Sequence, residues 1–152
     1  MVKNRAELAV HSLKDLPTEL PAGLTLGAIT RREDPREVLL YRDPSDGRGF
    51  EPGLTIAQLP ADLTVATSSP RRKAQLLRLR PDWRITDIRG NVPTRLDKLA
   101  IDPRIDATVL AHAGLRRLDF EVGKDGLLRG DAVPDGTCAT IVETGEMLPC
   151  VG

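Results

Sequence analysis

Between residues 63 and 118 the chain alternates short apolar runs with amphipathic stretches, and nothing else in its 152 residues constrains the fold as strongly. Residues 63–66 (LTVA) form an apolar run of strand length, followed by the polar turn Thr67-Ser68-Ser69. Residues 70–80 carry leucines at 76, 77 and 79 among arginines, which is a helical pattern. Ser69 suits the N-cap and Pro70 the first helical position, where proline's missing N–H would be unpaired anyway. Pro81 marks the stop. The pattern then repeats: a strand over 83–88, the turn Arg89-Gly90-Asn91, a helix over 92–100, a strand over 105–110 (IDATVL) and the start of a third helix over 111–118. Strand–helix–strand–helix–strand predicts an α/β fold with a parallel sheet and right-handed crossovers.

The flanks read differently. Residues 8–10 are expected to form a short strand running into the polar HSLKD turn, with further strands over 24–29 (LTLGAI) and 38–41. Residues 43–52, rich in Gly, Pro and Asp, are expected to form a loop. Residues 119–140 are glycine-rich and show no period that assigns elements, and 147–152 (MLPCVG) read as a strand or turn. Hydrophobic residues make up 40 %, enough for a packed core. The balance of 22 basic and 22 acidic residues argues against a general binder of nucleic acid or membrane surfaces. No apolar run approaches the roughly 18–20 residues that span a bilayer. Residues 1–10 lack the apolar core of a signal peptide, so a cytoplasmic protein is the expectation. Cys138 and Cys150 form no CxxC pair and the only histidines are His11 and His112, so neither a metal site nor a disulfide is expected. Without activating neighbours both cysteines read as ordinary thiols.

The arginines carry the first chemical signal. Seventeen of the 22 basic residues are arginine, whose planar fork binds carboxylates and phosphates at two points. From Thr67 to Lys98 nine basic residues face three acidic ones, within a chain of zero net charge. Three strand-to-helix junctions hold polar or basic groups: Thr67, Ser68 and Ser69 with Arg71 and Arg72; Arg89, Gly90 and Asn91 with Arg95; and Gly114 with Arg116 and Arg117. In a parallel α/β sheet such junctions gather at the carboxyl ends of the strands, where ligands bind. Helix N-termini there present free N–H groups and partial positive charge. A pocket for a molecule with several carboxylates or phosphates follows; capping residues with surface arginines are the plainer alternative.

Two other features stand out. Asp15 follows His11, Ser12 and Lys14 at a strand exit, where a carboxylate facing a positive pocket could stabilise a developing cation or shuttle protons. A turn aspartate bonded to its own backbone is the simpler reading, and His11 reads as structural. The run of residues 31–36 is expected to be an exposed, salt-bridged turn with a hinge at Asp34-Pro35, since proline restricts the residue before it.

Five segments, in order, resemble the hydroxymethylbilane synthase (porphobilinogen deaminase) family: AVHSLKDLP from Ala9, REDPRE from Arg32, ATSSPRRKAQL from Ala66, IRGNVPTRLDKL from Ile88 and LAHAGLRRL from Leu110. EMLPCVG, from Glu146, resembles the opening of the family's next motif. The resemblance implies a three-domain enzyme. Its first two domains are periplasmic-binding-protein-like lobes, each a parallel or mixed sheet flanked by helices. Its third carries a cysteine in thioether linkage to a dipyrromethane cofactor. The reaction it implies joins four porphobilinogen molecules head to tail, with release of ammonia, and yields hydroxymethylbilane for haem and other tetrapyrroles. Each pyrrole brings an acetate and a propionate, the anions that clustered arginines would meet.

By this resemblance Asp15 is the catalytic carboxylate, and Ser12 and Lys14 line the same cleft. Thr67, Ser68, Ser69, Arg71, Arg72, Arg89, Gly90, Asn91, Arg95 and Arg117 match positions that bind the acidic side chains of cofactor and substrate. Arg32 and Arg36 match an arginine pair near the interdomain hinge. Residues 1–35 would then be part of domain one, 36–144 domain two, and 145–152 the start of the return to domain one. The family's amino-terminal segment and cofactor-bearing domain have no counterpart in these residues, and neither cysteine matches the cofactor cysteine. The expectation is a fragment, monomeric, whose partners would be porphobilinogen and the growing polypyrrole, and which is inactive alone. The alternative is a stand-alone module that binds polycarboxylates or phosphates without catalysis.

Overall fold

The computed structural model describes residues 6–12 and 15–150. The chain divides into two units, Met1–Glu33 with Cys150–Gly152, and Asp34–Pro149. Among the described residues, every strand and α-helix lies in the second unit.

That unit is built on seven strands and three helices. They are β1 (Glu37–Arg42), β2 (Thr64–Ala66), α1 (Pro70–Leu79), β3 (Arg84–Thr86), α2 (Val92–Ile101), β4 (Ala107–Ala111), α3 (His112–Arg116), β5 (Glu121–Val122), β6 (Leu128–Arg129) and β7 (Thr137–Val142). Five strands form one sheet in the order β3-β2-β4-β1-β7, and β5 pairs with β6 separately. β2 runs parallel to both β3 and β4, whereas β1 runs antiparallel to β4 and β7. The sheet is therefore mixed, with the expected parallel part at one side.

Local sequence explains the helices. The Ser69 hydroxyl accepts the Arg72 N–H at 3.4 Å, Pro70 opens α1, and the Arg80 N–H closes it on the Leu76 carbonyl. In α2 the Asn91 side chain accepts the Thr94 N–H at 3.0 Å. Gly90 precedes it at φ +120°, and a Cβ there would sit 2.7 Å from the Thr94 methyl, so only glycine fits this turn.

The core lies on both faces of the sheet, and period-2 alternation sorts it. Leu39 and Tyr41 pack with Val65, Leu76, Trp83 and Val109 on one face. Val38 and Leu40 pack with Leu96, Leu99, Leu110 and Leu115 on the other. α1 thus covers one face, and α2 and α3 the other. All six residues of β1 are buried, as befits a central strand covered on both sides. Each fully buried leucine contributes about 1.5–3 kcal/mol relative to its exposed state.

Several expectations need correction. Residues 8–10 and 24–29 form no strand. Leu8 is 72 % exposed, Val10 95 % and Ile29 74 %. Apolar alternation becomes a strand only where a neighbour takes up its N–H and C=O groups. The strands expected over 83–88 and 105–110 are realised as the shorter β3 and as β4, which ends one residue later. The third helix is a single turn of five residues rather than a run through Leu118. β7 was not legible within 119–140. Residues 144–147 form turns, and 148–150 form no regular element. Cys138 is buried, Cys150 is exposed, and both are free thiols.

Candidate anion-binding site

The topology brings two junctions together. From β2 the chain passes through α1 to β3 on one side, then through α2 to β4 on the other side of β2. A parallel sheet whose strand order reverses about β2 opens a crevice beyond that strand's carboxyl end. Thr67, Ser68 and Ser69 follow β2 there, and Arg89, Gly90 and Asn91 follow the end of β3. β1 runs the other way and pairs Glu37 with Ala111 at the end of β4, which puts its first residue at the same edge.

The hydroxyls at this edge hold the loops in place. Ser68 Oγ donates to the Ile88 carbonyl at 2.9 Å and accepts the Ile88 N–H at 3.1 Å, which fastens the two strand exits to each other. Thr67 Oγ1 accepts the Ser69 N–H at 3.2 Å, and the Thr67 N–H bonds the Thr86 carbonyl at 2.8 Å. Asn91 Oδ1 is taken by Thr94, from its N–H and, at 2.7 Å, from its hydroxyl.

The guanidinium groups supply the positive charge at this edge. Arg71 and Arg72 both bond Glu37, the latter at 2.7 Å. Glu37 is 2 % exposed. Burial pushes its carboxyl up, but the bonds and charges of Arg72 and then Arg71 outweigh this, and it lies below its ordinary value. Arg95 donates Nε to the Gly90 carbonyl at 2.8 Å. Its own ionisation is pushed down, first by burial and then by repulsion from Arg72 and Arg89. Arg95 therefore stands close enough to both Arg72 and Arg89 to be repelled by them, and Glu37 is bonded by Arg71 and Arg72. Arg72 Nε is buried and has no hydrogen-bond partner among the described residues. Like charges gathered at helix N-termini can attract an anion.

The third junction is built differently. α3 has no side-chain cap, and Arg117 is its exposed C-cap residue rather than an N-terminal one. In the first unit, Ser12 and Asp15 are exposed, and the Asp15 N–H bonds the Ser12 carbonyl at 3.0 Å. Lys14 lies outside the described residues. Arg32 bonds the Cys150 carbonyl at 2.6 Å.

Arg36 grips the Asp34 carboxylate with Nε (3.0 and 3.1 Å) and Nη2 (2.7 Å), and reaches Glu143 at 2.7 Å. His112 Nδ1 lies 3.0 Å from the same Asp34. The Arg36 hydrogen bonds hold the Asp34 carboxyl well below the ordinary carboxylate range, against the opposing effect of burial. The residues around 34 are thus ion-paired, as the charge run implied, but they form no turn, and Asp34 and Arg36 are half-buried rather than exposed because Glu143 and His112 pack against them.

Sequence reasoning missed Glu37. Its signal was an acid opening the apolar run VLLY, a place where a carboxylate is buried and must be paired. Two cavities lie away from Arg71, Arg72, Arg89 and Arg95. One of about 280 Å³ lies along Leu128, Val133 and Thr137, and one of about 100 Å³ lies beside Arg42 and Ala100.

The profile of the family described as porphobilinogen deaminase, dipyromethane cofactor binding domain, matches residues 1–152. A porphobilinogen deaminase of Moorella thermoacetica is 48 % identical over 141 residues, covering 93 % of this chain and 40 % of the relative. That of Roseiflexus sp. is 45 % identical over 152 residues, covering all of this chain and 42 % of the relative. That of Brevibacillus brevis is 50 % identical over 115 residues, covering 76 % and 34 %. The chain spans less than half the length of each of these curated relatives.

Proposed function

The chain belongs to the porphobilinogen deaminase family, and from that premise we propose that it serves the transferase reaction joining four porphobilinogen molecules into hydroxymethylbilane with release of ammonia. The observation that carries this is the clustering of Arg71 and Arg72 on the buried Glu37 with Arg89 and Arg95 nearby, at the reversal point of a mixed sheet. A ligand whose every ring carries an acetate and a propionate supplies the missing negative charge.

The dipyrromethane implied by the family fits this donor set through its acidic side chains. When bound, it supplies the pyrrole end from which the product grows. Arg71, Arg72, Arg89 and Arg95 hold carboxylates, with Thr67, Ser68, Ser69, Gly90 and Asn91 shaping the loops between them and Arg117 contributing further charge. A thioether through Cys138 does not fit. Burial, followed by the charges of Asp43 and Glu51, pushes that thiol up to about 12, so no thiolate forms at neutral pH. Asp15 holds the cationic methylene-pyrrole left by departing ammonia and manages the pyrrole N–H proton, and Ser12 and Lys14 line its approach. Arg32 and Arg36 serve a hinge. In this reading residues 36–144 form a periplasmic-binding-protein-like lobe, 1–35 contribute to a second, and 145–152 lead back to it. The protein works as a cytoplasmic monomer. Among the described residues no helix is long and apolar enough to cross a membrane.

Calorimetric titration with a dipyrromethane bearing two acetates and two propionates tests the site. Replacing Arg72 and Arg95 together by alanine is expected to weaken binding by at least about tenfold, since each charged hydrogen bond is worth about 1.5–3 kcal/mol. Unchanged binding would place the ligand elsewhere. A second reading, a binding module without catalysis, is favoured by the confinement of the clustered guanidiniums to one unit. Equal affinity for inorganic phosphate and the dipyrromethane, with no turnover of porphobilinogen, would select it.

A further inference from the structure

Leu148 is held in an unusual manner. Its side chain is 67 % exposed, so packing does not fix it. Its backbone is fully engaged by side chains of α1. Gln75 Oε1 accepts the Leu148 N–H at 2.6 Å, and Gln75 Nε2 donates to the Leu148 carbonyl at 3.1 Å. One planar amide thereby reproduces the reciprocal pair of bonds that a neighbouring strand would make. Arg71, one helical turn before Gln75, donates Nη1 to the same carbonyl and Nη2 to Glu37. The preceding residue, Met147, is fully buried in the core, and the unit ends at Pro149. The segment leaving this unit is thus anchored at Met147 and then latched through its main chain at Leu148.

We propose that Gln75 is a positioning residue which latches this outgoing segment to α1, and that Arg71 ties the latch to occupancy of the anion site. The coupling rests on the reading of Arg71 as a ligand-binding group. A carboxylate is a stronger acceptor for a guanidinium than a backbone carbonyl. An acidic ligand that engages Arg71 therefore takes it from Leu148, which is left on Gln75 alone. The latch falls from three side-chain bonds to two, and the segment loosens as the site fills. Coupling of this kind is reciprocal, so loosening the segment also frees Arg71 for the ligand. Gln75 itself needs no contact with the ligand.

Amide exchange at Leu148 in the full chain, followed by NMR, tests both parts. Gln75→Leu keeps the size of the side chain and removes both bonds. It is expected to speed Leu148 exchange about tenfold, while protection at Val109 in the core stays unchanged and shows the fold intact. In the unmutated protein, saturation with the dipyrromethane tetra-acid is expected to speed Leu148 exchange about threefold, and Gln75→Leu to bind that probe about threefold more tightly. A residue with a purely structural role would leave probe affinity unchanged or weaken it. Unchanged Leu148 exchange in Gln75→Leu would overturn the latch. A probe that binds both proteins equally would overturn the coupling. If the probe gives no heat with the unmutated protein, the anion-site reading fails and the coupling with it, while the first arm still decides the latch.

Discussion

Residues 24–29 (LTLGAI) and strand β1 (EVLLYR) are of equal length and similar apolar content, yet their fates diverge. In β1 every residue is buried, with β4 bonded along one edge and β7 along the other. In the first segment Leu26 is 44 % exposed and Ile29 74 %, and no ladder forms. The apolar pattern is a condition for a strand and not a cause of one. A strand must dispose of its backbone N–H and C=O groups as well as its side chains, and only neighbours do the first. β1 has them because α1 and α2 return the chain to the same sheet, which brings β4 alongside.

This contrast can be broken by mutation. Leu39→Ala is expected to destabilise the Asp34–Pro149 unit by about 2–5 kcal/mol, because it leaves a cavity between the sheet and α1. Leu26→Ala should move the urea midpoint by less than about 0.5 kcal/mol equivalent. Equal losses would mean that residues 24–29 are packed after all.

A smaller effect tests the charge buried at the start of β1. Glu37→Gln is expected to cost about 1–3 kcal/mol at neutral pH, since Arg72 loses a charged partner. The acid dependence follows from the depressed carboxyl. Its stabilisation is complete above its ordinary 4.5 and is lost as pH falls through the lower value of the folded protein. Denaturant midpoints from pH 7 to pH 2 should therefore fall less steeply in Glu37→Gln. Parallel curves would show that Glu37 titrates normally.

The smallest effect sharpens the local side of the comparison. Asn91→Ala removes the α2 cap and should cost about 1 kcal/mol, read as a shift in thermal midpoint. No shift would mean that the Thr94 N–H finds another acceptor.

Much of the site was legible in advance where chemistry is local. Ser69-Pro70, the turn at Gly90-Asn91 and the arginines after them occupy the expected positions, because caps and turns are set by residues within one helical turn. Glu37, Gln75 and the pairing of His112 with Asp34 were not legible, since their partners lie 34 or more residues away. β7 was hidden as well. TCATIV shows no regular apolar–polar alternation, and only its neighbour β1 makes a strand of it.

By itself, then, the amino-acid order determined where α1 and α2 begin and that guanidinium groups would crowd two adjacent loops. Tertiary structure alone decided which apolar runs become strands, which carboxylate is shared between Arg71 and Arg72, and how Leu148 is held. Caps, turns and side-chain alternation depend on neighbours along the chain. Ladders and ion pairs depend on neighbours in space, and those exist only once the sheet has closed around β1.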